Sequence, residues 1–179
     1  MRSDSGKHHG SVKGHSNTIE EANRYMANAR KILHKTPIEY FDYKDPKMVS
    51  EAAGTAYLAA LLSINAYLIS IGFIKENLPK SIEHYWDIVI KKIPHNGKLK
   101  SSLKVAYQNL HLFAYYQGGT SVKMVKDGIE KCKLIIDMMA SSIRKIPEKN
   151  GYIDPDIKTV AGEPSVKYKI KHGIRRKKK

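Results

Sequence analysis

The chain has 179 residues, with 32 lysines and arginines against 17 aspartates and glutamates, a net charge of +15 with histidine neutral. Its 41% hydrophobic and 27% charged content is that of one soluble domain with a single core and attached tails. One cysteine, Cys132, excludes a disulfide framework and a cysteine-based metal site.

The positive excess points to a polyanionic partner. It is concentrated at the ends: residues 1–17 carry three basic side chains and one acidic, and residues 147–179 carry ten and four. Residues 18–146 hold the remaining nineteen and twelve. The N-terminal stretch MRSDSGKHHGSVKGHS is polar and has no apolar segment of the signal-peptide kind, so the expected compartment is the cytoplasm. Residues 1–17 read as a disordered arm. Its histidines, His8, His9 and His15, have no carboxylate or cysteine near enough in sequence to complete a metal site, and no cofactor is expected.

A first helix is expected from Asn17 or Thr18, either of which can cap it, with Glu20 and Glu21 in the first turn. Ile19, Ala22, Met26, Ala29 and Leu33 recur at steps of three and four, and Pro37 ends the pattern. The loop that follows brings Tyr40, Phe41 and Tyr43 together. Such a cluster can serve as a stacking platform for bases. The commoner role, adopted here, is a hydrophobic lid over the end of a bundle.

Asp45 as cap and Pro46 at the first helical position begin a second helix that runs to Gly72. From Ala52 to Ile74 it contains no aspartate, glutamate, lysine or arginine. That is about the length of a membrane span, roughly 20 residues. Thr55, Ser63, Asn65 and Ser70 interrupt the run, and the other helices each carry an apolar stripe in need of cover. Ala52–Ile74 is therefore read as the centre of a soluble bundle, with no membrane partner.

Ser81 caps a short third helix whose stripe is Ile82, Tyr85, Trp86, Val89 and Ile93, and the turn Pro94-His95-Asn96-Gly97 follows. A fourth helix is expected from about Leu99 to Gln117, with Leu99, Leu103, Ala106, Leu110 and Phe113 inside and Gly118-Gly119 as its stop. The fifth helix alternates steps of three and four from Val122 through Val125, Ile129, Cys132, Ile136, Met139 and Ile143 to Ile146. A period near 3.5 is that of a bundle seam with shallow crossing angles. Cys132 lies within it as a small core residue. The expected fold is all-α: an up-and-down four-helix bundle over residues 18–146 with one additional short helix, and flexible basic tails at both ends.

Residues 147–179 form a basic C-terminal tail in which Ile157–Val160 and Ser165–Ile170 are candidates for a small hairpin around Gly162. The last fourteen residues hold eight basic groups and no acid. Lys167, Lys169, Lys171, Arg175, Arg176, Lys177, Lys178 and Lys179 are candidate phosphate contacts, with Tyr168 as a candidate stacking group among them.

There is no phosphate-cradling glycine loop, no HExxH and no recognisable nucleophile–base spacing. Tyr107 and His111, one turn apart, are a conceivable acid–base pair, but the same residues are more simply packed and hydrogen-bonded. Arg30 and His34, in the first helix with three residues between them, do not match the arginine–histidine spacing of HEPN-type helical RNases. No catalytic residues are assigned, and the chain is read as non-enzymatic.

The stretches EEANRYMANARKIL, DPKMVSEAAGTAYLAALLSINAYL, SIEHYW, VAYQNLHLFAYYQG and VKDGIEKCKLIIDMM cover about residues 18–140. Together they resemble an uncharacterised family of small helical proteins typical of Bacteroidetes, a domain of unknown function. The resemblance implies a helical bundle and carries over no functional residues. Three functions are weighed: binding of nucleic acid, RNA or a ribonucleoprotein, through the basic tail; a homo-oligomeric or protein-binding scaffold; and membrane attachment through the second helix. The first is the expected one.

Overall fold

The computed structural model describes residues 18–94 and 96–146. The expected N-terminal arm, the C-terminal tail with its hairpin, and every candidate phosphate contact from Lys167 to Lys179 lie outside the described residues.

Helix α1, Ile19–Lys35, starts at Thr18, whose Oγ1 accepts the Glu21 N–H at 3.1 Å. Glu20 and Glu21 stand at its positive end and His34 and Lys35 at its negative end, as the dipole favours. A two-stranded hairpin, β1 Ile38–Glu39 and β2 Asp42–Tyr43, then replaces the expected loop. In helix α2, Pro46–Ser70, Asp45 Oδ1 accepts from Lys47 and Met48 N–H at 3.0 and 3.1 Å, and Pro46 occupies the first turn. A 3-10 turn, Lys75–Asn77, leads to the short α3, Ile82–Lys92, capped by Ser81. Helix α4 covers Gly97–Ala106, and α5 covers Val122–Arg144.

Between them the structure departs from the sequence expectation. The single helix from Leu99 to Gln117 is two segments: α4, and a π-helix over Tyr107–Tyr116. The physical cause is in the residue pattern. Beyond Leu103, the buried residues are Ala106, Leu110 and Ala114, spaced by four. An aromatic stripe, Tyr107, His111 and Tyr115, follows at the same spacing one residue behind. In an α-helix every fourth residue drifts about 40° around the axis. Widening the turn to the i→i+5 bond passes four residues per turn and reverses the sense of that drift. Bonds of this longer kind persist at the end, where the Gln117 N–H reaches the Leu112 carbonyl at 3.0 Å.

The helices form a four-helix bundle of α1, α2, α4 with the π-helix, and α5, with α3 as the additional short helix. Helix α2 is the centre, packing most extensively on α1, then α5, then the π-helix. Ala52, Ala53, Ala56, Ala59 and Ala60 are fully buried, and with Val49, Ile64 and Leu68 they form its share of the core. It is long and apolar enough to cross a membrane by length and composition, yet 67% of that apolar window is buried against protein. Its polar side chains are accommodated: Ser63 Oγ donates to the Ala60 carbonyl at 2.7 Å, and Asn65 Oδ1 accepts from Tyr85 Oη at 3.0 Å.

The alternating direction of the helices gathers the hairpin, the start of α2, the end of the π-helix and the start of α5 at one end of the bundle. Backbone bonds tie them there: the Tyr43 N–H to the Thr120 carbonyl, and the Val122 N–H to the Phe41 carbonyl, both at 3.0 Å. The expected lid is only partly realised. Tyr43 is buried over the bundle end, whereas Tyr40 and Phe41 are 87% and 89% exposed. A two-residue turn leaves them at its tip, beyond the reach of the core.

Gly128 on α5 lies under Leu110 of the π-helix, and a Cβ there would fall 2.6 Å from Leu110 Cγ and Cδ2. Alanine gains about 1 kcal/mol over glycine in helix propensity, but overpacking a filled core costs about 1–3 kcal/mol. Leu110 is fully buried and has no space to swing into, so the clash outweighs the propensity. Gly128→Ala is expected to lower the urea midpoint with an unchanged slope; a higher midpoint would show that the π-helix gives way at little cost.

Candidate aromatic groove

The π-helix builds the most distinctive surface of the fold. Tyr107 and His111 are stacked, with ring centroids 5.3 Å apart and planes 20° off parallel, and His111 and Tyr115 continue the stack at 5.8 Å and 18°. Helix α2 supplies the backing. Tyr57 lies across the middle of the ladder, 5.0 Å from His111 and 6.1 Å from Tyr107. From α3, Trp86 meets Tyr107 edge-on at 5.9 Å and 81°, and its buried Nε1–H has no hydrogen-bond partner among the described residues.

Room for the ladder comes from a missing side chain. A Cβ on Gly54 would stand 3.0 and 3.2 Å from two carbons of the Tyr115 ring, so only glycine lets that ring lie against α2 without displacement. Ser50 Oγ donates to the Tyr115 carbonyl at 3.0 Å and fixes the backbone at the same place.

Two cavities open on either side of the Tyr57–His111 pair. One, of about 360 Å³, is bounded by Tyr25, Glu51, Gly54, Thr55, Leu58 and Tyr115. The other, of about 340 Å³, is bounded by Leu61, Lys80, Ser81, Glu83, Tyr85 and Tyr107. Tyr25 and Thr55 also border a further hollow with Arg24, Asn28 and Lys31 on α1, about 600 Å³ in volume. The three hollows share lining residues in turn, Tyr25 and Thr55 between the first and the last, Tyr57 and His111 between the two central ones, and both signs of charge border them, Arg24, Lys31 and Lys80 against Glu51 and Glu83. Arg24 is engaged by Glu21 at 2.5 Å, while Lys31 and Lys80 make no ion pair among the described residues.

The groove also holds unspent hydrogen-bonding capacity. Tyr57 is 7% exposed, lines both central cavities and makes no hydrogen bond through its hydroxyl among the described residues. The hydroxyl oxygen is not sealed from solvent; the buried polar atom left without a partner among the described residues is Trp86 Nε1. Burial pushes the Tyr57 phenol well above its ordinary range, and the neighbouring Tyr107, Tyr85, Cys132 and Glu83 add to the effect. It is a neutral donor at physiological pH. Glu83, at the rim, is held below the usual carboxylate range by its own backbone N–H and by Ser81.

Tyr107 and His111, paired in the sequence reading, are brought together, but face to face. No hydrogen bond joins them among the described residues, and parallel rings do not pass a proton between their edges. Their arrangement suits stacking, not acid–base work. Arg30 and His34 line a separate cavity of about 430 Å³ with Tyr43, Lys126 and Glu130. No group of three or more metal-binding side chains occurs among the described residues. Cys132 is fully buried and its thiol is pushed up by burial, consistent with a core residue. Sequence reasoning does not single out Tyr57 or Tyr115. The available signal is the doublet Ala106-Tyr107, Leu110-His111, Ala114-Tyr115 repeating at strict fours.

The model of a domain of unknown function (DUF5618) matches residues 17–141. The chain belongs to this family. A solved protein of unknown function from Dyadobacter fermentans is similar to it, with 28% identity and a TM-score of 0.60 over 72% of this chain and 98% of that one. No curated protein matches the chain. The expected membership of an uncharacterised family of helical bundles is thus borne out.

Tyr43, Tyr57 and Tyr85 and the Cys132 thiol are all raised by burial, with the Asn65 hydrogen bond partly opposing the shift at Tyr85. The unfolded chain releases these protons near ordinary values, about 8.5 for a thiol and about 10 for a phenol. The folded chain retains them, so their stabilising contribution is complete below those values and is lost as pH rises through them. The urea midpoint is expected to hold between about pH 7 and about pH 8 and to fall above about pH 9. A midpoint unchanged well above that range would mean the phenols ionise within the fold.

Proposed function

We propose that this protein is a non-enzymatic binder of single-stranded nucleic acid in the cytoplasm, with RNA as its partner. The observation that carries the reading is the ladder of Tyr107, His111 and Tyr115, three near-parallel rings that end at the half-exposed Tyr115, where a base can extend the stack. Every base has a π-face, and base–aromatic stacking is worth about 1–3 kcal/mol per base. The net charge of +15 supports the same partner, because phosphate neutralisation releases counterions. In this reading the basic residues from Lys167 to Lys179 hold the backbone, with Tyr168 among them, while the groove receives bases.

The test is fluorescence anisotropy of the full chain with labelled single-stranded RNA at several salt concentrations. Tyr115→Ala is expected to weaken binding by about 1–3 kcal/mol with little dependence on sequence. Tyr115 is half exposed, so its removal spares the core. Failure of the full chain to bind any oligonucleotide at low salt overturns the proposal. A stable oligomer at high salt, free of nucleic acid, would favour the scaffold instead.

Removing residues 166–179 tests the tail separately. For every phosphate that the shortened chain no longer neutralises, the slope of log affinity against log salt should fall by about 0.7 for a single strand. An unchanged slope would eliminate the tail from the interface.

A further inference from the structure

The groove does not account for the hairpin tip. Ile38 pairs with Tyr43 and Glu39 with Asp42, leaving a two-residue turn of Tyr40 and Phe41. Both have positive φ, 48° and 71°. Tight hairpin turns with two left-handed residues favour Asn-Gly. Bulky side chains in that region are outliers and carry strain. These two rings are also almost wholly exposed, so no burial of their own offsets the strain.

The hairpin beneath them is firmly held. Tyr43 is buried at its base, the Lys44 N–H reaches the Pro37 carbonyl at 2.9 Å, and Val122 and Thr120 bond to the Phe41 carbonyl and the Tyr43 N–H. An ion pair joins Lys44 to Glu39 across the strands. The strained tip is thus built on a rigid support. Folding alone gives no reason to keep two aromatic rings there, and strain retained at an exposed position is the mark of a functional one.

We propose that Tyr40 and Phe41 form a prong on which a base of the bound single strand stacks. The inference rests on the nucleic-acid reading above and extends it to a second contact. Continuity favours this occupant. The ladder runs along the π-helix towards the same end of the bundle, finishing at Tyr115 and the 80% exposed Tyr116, and the loop after it carries the hairpin. Around the tip the three carboxylates Glu39, Asp42 and Asp45 are balanced by Lys44, Lys47 and Lys123, so stacking and not charge is asked to carry this contact. Glu39 is engaged by Lys44, Asp42 accepts from Thr120 Oγ1 at 3.4 Å, and Asp45 caps α2. Lys47 and Lys123, in the first turns of α2 and α5, make no ion pair among the described residues.

The deciding variant is the full chain carrying Tyr40→Asn and Phe41→Gly, which supplies the residues the turn prefers. Its melting temperature should equal or exceed that of the parent, while its affinity for single-stranded oligouridylate falls at least about fivefold, the low end for removing one stacked base. Phe41→Trp should keep the affinity and show indole quenching on binding. Parent and double variant binding RNA equally would overturn the prong and leave the groove reading standing. No RNA binding by the parent itself would overturn both. A lower melting temperature in the double variant would refute the strain argument. Loss of binding to anionic vesicles with RNA affinity intact would make the tip a membrane contact and also overturn the proposal.

Discussion

The close approach of backbones to the alanine face of α2 is the constraint on which the rest of the fold depends. Five alanines between Ala52 and Ala60 are fully buried, and larger side chains there would push α1, α5 and the π-helix outward. A helix so poor in charge and so small in its middle has no stable position at a surface. It has to be enclosed, and three neighbours enclose it. The same feature that gives α2 the hydropathy of a membrane span is therefore the feature that lets protein surround it.

The π-helix follows from a second constraint, the need to keep two stripes in line. Ala106, Leu110 and Ala114 face the core, while Tyr107, His111 and Tyr115 stack beside Tyr57. An α-helical geometry would wind both stripes away from α2 within two turns. In the structure Ala106, Leu110 and Ala114 are fully buried while the rings line the cavities beside Tyr57. The π-helix is held by neighbours: Asn109 Nδ2 donates to the Met124 carbonyl and to Asp127 Oδ2, at 3.2 and 3.1 Å, fastening it to α5.

The helices legible in the sequence are those whose ends and periods carry local signals. Thr18, Asp45 and Ser81 each cap where expected, and the seam of α5 buries Val125, Ile129, Cys132, Ile136 and Met139. Three features are not legible. The π-helix passes for α because Leu103, Ala106 and Leu110 satisfy an α period before the strict fours take over. The hairpin passes for a loop because Tyr40-Phe41 is the opposite of a turn signature; tertiary bonds from Thr120 and Val122, far away in sequence, supply what local preference does not. Tyr57 is hidden within an apolar run, and only the fold shows that it borders two cavities lined from other segments.

These departures share a direction. Where local preference and structure agree, the residues are core or caps, and stability is sufficient to explain them. Where they disagree, at Tyr40 and Phe41, at the π-helix and at Tyr57, the residues are aromatic and lie at the hairpin end or along the groove that runs towards it. A sequence selected for stability alone would place Asn-Gly at the tip. The rings at the tip, Tyr40 and Phe41, and those that end the ladder, Tyr115 and Tyr116, stay exposed, which core packing alone does not require.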